Sequence, residues 1–96
     1  MLIIVARTRI VQPVPTVSAL EGARVNLSCV VYNDPYYILT RRWYHNSSLI
    51  NTRAFLDDNG SLILPSLSRA DAGLYTCIVD SDGGRDNSSG WIHIIG

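Results

Sequence analysis

A chain of 96 residues has room for one small hydrophobic core and not for two. Eight basic side chains balance eight acidic ones, the longest basic cluster is Arg41-Arg42, and no basic stripe is present, which argues against nucleic acid or a polybasic membrane contact. A chain this small buries only about 60–65% of its unfolded surface, so a covalent staple matters, and its two cysteines, Cys29 and Cys77, admit one intramolecular pairing.

No sustained helical period occurs; short β-branched runs alternate with turn clusters, the pattern of an all-β sandwich. The opening Met1-Leu-Ile-Ile-Val5 is too short for a signal sequence or a membrane span. It resembles Ile92-His-Ile-Ile95, so residues 1–6 are expected to be the tail of a preceding repeat, with vector-derived residues as the alternative; residues 7–96 are the domain proper. Residues 8–11 and 16–19 flank Pro13 and Pro15, which predicts an edge strand broken into two pieces. Residues 23–31 form the clearest strand, with Val25, Leu27 and Cys29 on one face and Arg24, Asn26 and Ser28 on the other. Tyr32, Tyr36 and Tyr37 crowd the loop that follows, around Asn33-Asp34-Pro35.

Residues 38–45 predict a strand around Trp43, ended by Asn46-Ser-Ser48. A short strand is expected over 53–56, and Asn59-Gly60 predicts a type I′ turn. Leu62, Leu64 and Leu67 present an inward row. After the polar turn 68–73 comes a strand over 74–79, then a Ser-, Gly- and Asp-rich loop over 80–90, and residues 91–95 close the sheet.

Three features coincide: Cys29 on the second main strand, Trp43 fourteen residues later, and Arg69-Ala-Asp-Ala-Gly-Leu-Tyr-Thr-Cys77 before the sixth. A disulfide would tie two sheets through the core, with the Trp ring packed on it. Tyr75 stands where a tyrosine corner bonds back to the preceding turn, Gly73 supplies an unusual φ, and Asp71 can satisfy backbone donors or pair with an arginine. The conjunction is identified as that of an immunoglobulin-like Greek-key β-sandwich with one inter-sheet disulfide. Spacing and the split first strand resemble the intermediate set.

Thr8-Arg-Ile10, then Cys29-x4-Asp34-Pro35-x3-Leu39-Thr40-x2-Trp43, the leucine row and Asp86-Asn-Ser-Ser89 resemble the sixth immunoglobulin repeat of contactins and related axonal cell-adhesion receptors. That resemblance implies a neural cell-surface receptor with flanking immunoglobulin and fibronectin type III repeats. It also implies a protein partner, homophilic or heterophilic. Arg41 departs from it: alternation from Trp43 points it inward, which requires a bulge or a snorkelling side chain.

Four sequons, at Asn26, Asn46, Asn59 and Asn87, point with the cysteine pair to an extracellular glycoprotein. Asn46 and Asn87 are expected in exposed turns and best occupied, Asn59 less so. No Ser/His/Asp spacing suggests a triad, and His45 and His93 are the only histidines, so no catalysis is expected. No zinc-finger spacing and no closed calcium loop around Asp80, Asp82 and Asp86 exist, so no metal and no cofactor are expected. Alternation turns Arg42, Tyr44, Ile78, Trp91 and His93 outward on one sheet, a candidate partner-binding cluster. Tyr36 and Tyr37 are candidate interdomain contacts. A non-catalytic adhesion module is the reading that results, with a structural spacer lacking its own ligand as the alternative.

Overall fold

A computed structural model describes residues 7–50, Leu56 and residues 60–96. Nine strands run along them: β1 (Thr8–Gln12), β2 (Val17–Leu20), β3 (Val25–Leu27), β4 (Val30–Asn33), β5 (Thr40–His45), β6 (Ser48–Leu49), β7 (Leu62–Leu64), β8 (Gly73–Ser81) and β9 (Gly84–Ile95). A one-turn 3-10 helix, Arg69–Asp71, precedes β8. Strands β2, β9, β8, β5 and β6 join in that order into a five-stranded sheet, while β1 pairs with β4 and β3 with β7. Only Ser28 and Cys29 separate β3 from β4, so these two pairs follow one another along a second layer. The Cys29–Cys77 disulfide joins that layer to β8.

The predicted break in the first strand is real and has a structural use. Pro13 and Pro15 offer no N–H, so the chain leaves β4 after Gln12 and crosses to lie parallel to β9, with Val17 opposite Ile92 and Leu20 opposite Ile95. The crossing backbone is tied down from below. Ile10 donates its N–H to the Asp86 carboxylate at 2.9 Å, and Val14 donates to Ser88 Oγ at 2.8 Å. At Gly90 a Cβ would come within 2.3 Å of the Pro15 carbonyl oxygen, so only glycine allows the approach.

This corrects the loop expected over residues 80–90. Strand β8 continues to Ser81, Asp82-Gly83 makes a two-residue turn, and β9 is twelve residues long. Its inward positions Asp86, Ser88 and Gly90 are polar or small because they face a backbone that needs acceptors and space. The loop-like composition is thus that of a strand beneath a crossing chain. Asn87 consequently sits on a strand and not in a turn.

The core follows the alternation. Leu27, Trp43, Leu62, Leu67, Tyr75, Cys77, Val79 and Ile92 are all but fully buried, and Val25, Cys29 and Leu64 join them. Trp43 Nε1 donates to the Gly60 carbonyl at 2.9 Å, giving the buried indole its one partner. The β5–β8 ladder runs unbroken from Thr40 opposite Asp80 to His45 opposite Tyr75, so no bulge re-aims Arg41. Its side chain extends to Gly60 instead and fills the place a Cβ there would take. Tyr32 belongs to β4 and not to the following loop; the Arg9 guanidinium lies 5.6 Å from its ring centre.

The strand expected over 53–56 and the turn before Gly60 lie outside the described residues, apart from Leu56, which bridges to Leu62. The sequon at Asn59 and the proposed tail over residues 1–6 lie outside them too.

Candidate functional site

Strand β8 connects two ends of the sandwich, and each carries a polar cluster around aromatic rings. At its start the predicted tyrosine corner is present: Tyr75 Oη donates to the Asp71 carbonyl at 2.6 Å. Burial, reinforced by the nearby Asp71 carboxylate, pushes the Tyr75 hydroxyl up to about 12. Asp71 satisfies backbone as expected, accepting from the Ser68 N–H at 2.8 Å and its hydroxyl at 3.2 Å. The alternative arginine pairing goes elsewhere, since Arg69 approaches Glu21 at 3.6 Å. Gly73 has φ 134°, the left-handed side expected of it.

Two partners in this corner escaped the sequence reading. The His45 ring stacks on Tyr75 with centres 4.4 Å apart, and its Nε2 donates to the Ala72 carbonyl at 2.9 Å. Asn46 and Ser47 both have positive φ, 49° and 71°, the signature of a type I′ turn between β5 and β6. Asn46 then prolongs the ladder: its N–H donates to the Leu74 carbonyl at 2.8 Å, and its Oδ1 accepts from the Leu74 N–H at 2.9 Å. An Asn immediately after a β-rich run, followed by a second small polar residue, was the available signal.

The opposite end receives the chain at Arg7. Arg7 donates its N–H to the Gly83 carbonyl at 3.1 Å and accepts from the Asp34 N–H at 2.9 Å, while its guanidinium approaches the Asp34 carboxylate at 3.5 Å. The buried Thr8 hydroxyl bonds both Asn33 Oδ1 and Ser81 Oγ, drawing β1, β4 and β8 together. Asp34 organises the loop: its carbonyl accepts from the Tyr37 N–H at 2.9 Å, and its side chain accepts from the Tyr36 N–H at 3.0 Å. The Tyr37 ring packs on Gly83, where a Cβ would lie 2.7 Å from a ring carbon. Tyr36 meets Tyr37 edge-on at 5.2 Å. Yet Tyr36 is 85% exposed and Ile38 89% exposed. Tyr36, Tyr37 and Ile38, together with Thr40, Asp80, Ser81 and Asp82, line an open groove of about 470 Å³.

On the outer face of the five-stranded sheet, Arg42, Tyr44, Ile78, Trp91 and His93 all point away from the core as alternation requires. They do not make one continuous patch. Arg42, Ile78 and Asn87 lie in register across three strands, with Tyr44 diagonal to Ile78. Trp91 lies opposite Leu74 and stacks on His93 at 6.2 Å. Between the two groups stands a hydroxyl pair, Thr76 Oγ1 and Ser89 Oγ, 2.8 Å apart. Of the other sequons, Asn26 is exposed on β3, opposite Ile63. Among the described residues no three His, Cys, Asp or Glu side chains gather as a metal site would require.

The model of the immunoglobulin domain family matches residues 8–81. The chain is similar to mouse protein sidekick-2, 33% identical over 97% of this chain and 4% of the relative, and to the human cell adhesion molecule DSCAM, 32% identical over 72% of this chain and 4% of the relative. It therefore spans a small fraction of the length of these curated relatives. Among solved structures, the titin I-band fragment I67–I69 superposes with a TM-score of 0.80 at 20% identity, covering 94% of this chain and 33% of that one. Extracellular domains 3–5 of Drosophila OTK superpose with a TM-score of 0.77 at 25% identity, covering 94% of this chain and 36% of that one. With the disulfide, the buried Trp43 and the tyrosine corner in place, the chain belongs to the immunoglobulin domain family.

Proposed function

We propose that this chain is a non-catalytic extracellular module of a cell-adhesion receptor, making protein contacts within a tandem array through the end where the chain enters. One observation carries the reading: Tyr36 and Ile38 stand 85% and 89% exposed on a loop held by hydrogen bonds at Asp34, Tyr36 and Tyr37. Large apolar side chains left in water on a rigid loop lose little entropy when covered. They are typical anchors of an interface. The entering backbone at Arg7 sits on the same end, so a preceding repeat is held within reach of them.

The relative named as a cell adhesion molecule, and the similarity along nearly the whole chain to the sidekick proteins, support the receptor setting. So does the contactin-like spacing from Asp34-Pro35 to Trp43, which further suggests an axonal receptor with immunoglobulin and fibronectin type III neighbours. The sequons agree with an extracellular location, and neither homophilic nor heterophilic pairing is preferred. The test is a fragment containing the preceding repeat. Docking raises the melting temperature of this domain above that of the isolated domain, and Tyr36→Ala with Ile38→Asp removes the increment. An increment untouched by both substitutions would refute contact at this end.

A further inference from the structure

We infer that Asn87 carries an N-linked glycan while Asn46 is a silent sequon, so that the middle of the outer sheet face is covered by sugar. The inference uses the extracellular part of the proposed function and none of its contact site.

Asn46 and Asn87 share the same tripeptide, Asn-Ser-Ser, so local sequence cannot rank them. Their surroundings can. The Asn46 amide is built into the fold through Oδ1, which accepts the Leu74 N–H at 2.9 Å; Nδ2 lies 3.4 Å from His45 Nε2, a nitrogen that donates to the Ala72 carbonyl and accepts nothing from Nδ2. The amide also presses on Gly73, where a Cβ would fall 2.4 Å from Oδ1 and 2.7 Å from Nδ2. A glycosylated amide is secondary and takes the trans form, the cis form costing about 2.5 kcal/mol. Trans geometry sets the sugar carbon on the same side as Oδ1, toward the Gly73-Leu74 backbone that Oδ1 already engages. A sugar there opens the clamp that prolongs the β5–β8 ladder, so chains modified at Asn46 fold poorly and are lost from the secreted protein.

Asn87 differs in its amide: both residues are exposed, but no hydrogen bond among the described residues occupies the Asn87 side-chain amide on β9. Period-2 alternation sets Asn87 and Ser89 on the same outer face, while Ser88 turns inward to bond Val14. The acceptor amide and the sequon hydroxyl are thus presented together. Register then fixes what the sugar covers. Ile78 is directly across from Asn87, and Arg42 directly across from Ile78. A glycan rising from Asn87 stands over this row, the Arg42–Ile78 half of the outer face. The exposed Tyr36–Ile38 loop lies beyond this row, at the end of the sandwich.

The experiment is site mapping on the protein secreted from a glycosylating host, by peptide mass spectrometry after enzymatic deglycosylation. Asn87 is expected to show the Asn-to-Asp mass shift and Asn46 is not. Asn87→Gln then removes one glycan from the intact mass. Ser48→Ala, which abolishes the Asn46 sequon but leaves its amide in place, removes none. An unmodified Asn87, or a glycan on Asn46 in folded protein, overturns the inference. Because the host supplies the compartment, either result stands independently of whether the entry end binds a neighbour.

Discussion

The two ends of β8 use aromatic side chains in opposite ways. At its start, Tyr75 is 1% exposed, its ring is stacked on His45 and its hydroxyl is spent on the Asp71 carbonyl. At its end, Tyr37 packs on the hairpin turn, but Tyr36 and Ile38 project into solvent from a loop that is also hydrogen-bonded, at Asp34, Tyr36 and Tyr37. Polar bonding does not distinguish the ends; the direction of the apolar surface does. Turned inward, that surface holds the two layers together. Turned outward on a fixed loop, it remains available to another protein. The closed end should therefore be sensitive to mutation in stability and the open end in association.

The largest effect is expected where the layers are joined. Reducing the Cys29–Cys77 bond, or replacing both cysteines by alanine, releases a loop of 48 residues and should cost about 4 kcal/mol. That is close to the whole stability of a small domain. Denaturant unfolding with and without reductant measures it. A reduced protein with an unchanged midpoint would show that packing of Trp43 and the leucine row alone suffices.

Next comes the tyrosine corner. Tyr75→Phe leaves the Asp71 carbonyl without its buried donor and should cost roughly 1–3 kcal/mol. It also predicts a pH effect. The folded hydroxyl holds its proton up to about 12, whereas tyrosine in an unfolded chain ionises near 10. The raised value favours the neutral folded form. Its contribution is fully present below pH 10 and is lost as pH rises from 10 toward 12. Stability followed across that window should fall more steeply for the native protein than for the Phe variant.

A smaller loss is expected at Asn46. Asn46→Ala removes the side-chain bond to Leu74 and places alanine at φ 49°, costing about 1–2 kcal/mol together. Ser48→Ala, exposed on the edge strand β6, should stay within about 0.5 kcal/mol. Equal effects of the two would mean that the turn, and not the clamp, closes this corner.

What the sequence disclosed follows the same division. The corner was legible because each of its roles demands a particular residue: a sulfur pair, a large apolar ring, a hydroxyl reaching back four positions, a glycine at positive φ. The inward rows were legible from alternation alone. Residues 80–90 were misread because Asp86, Ser88 and Gly90 serve a backbone crossing from residues 10–15, a partner more than seventy positions away. His45 was read only as a non-catalytic histidine, since its use depends on a stack formed across two strands. The outer-face residues were placed on the correct side, but their division by Thr76 and Ser89 depends on register, which alternation cannot fix.

The smallest effect on stability, and the most telling, is expected at the open end. Tyr36 and Ile38 are already mostly exposed in the fold, so unfolding exposes little more of them, and Tyr36→Ala and Ile38→Asp should each shift stability of the isolated domain by no more than about 0.5 kcal/mol. Tyr36 keeps its backbone bond to the Asp34 side chain in either variant, so the loop retains its shape. Association is where the change belongs. An anchor truncated at the centre of a contact typically costs about 1–2 kcal/mol or more. Ile38→Asp also sets a charge in the groove that Asp80 and Asp82 line, adding like-charge repulsion to lost contact. It should weaken docking more than Tyr36→Ala, and the gap should narrow as salt rises. Titration of the preceding repeat at low and high ionic strength reads both quantities. If Ile38→Asp instead unfolds the domain, the loop belongs to the core and the contrast between the two ends fails.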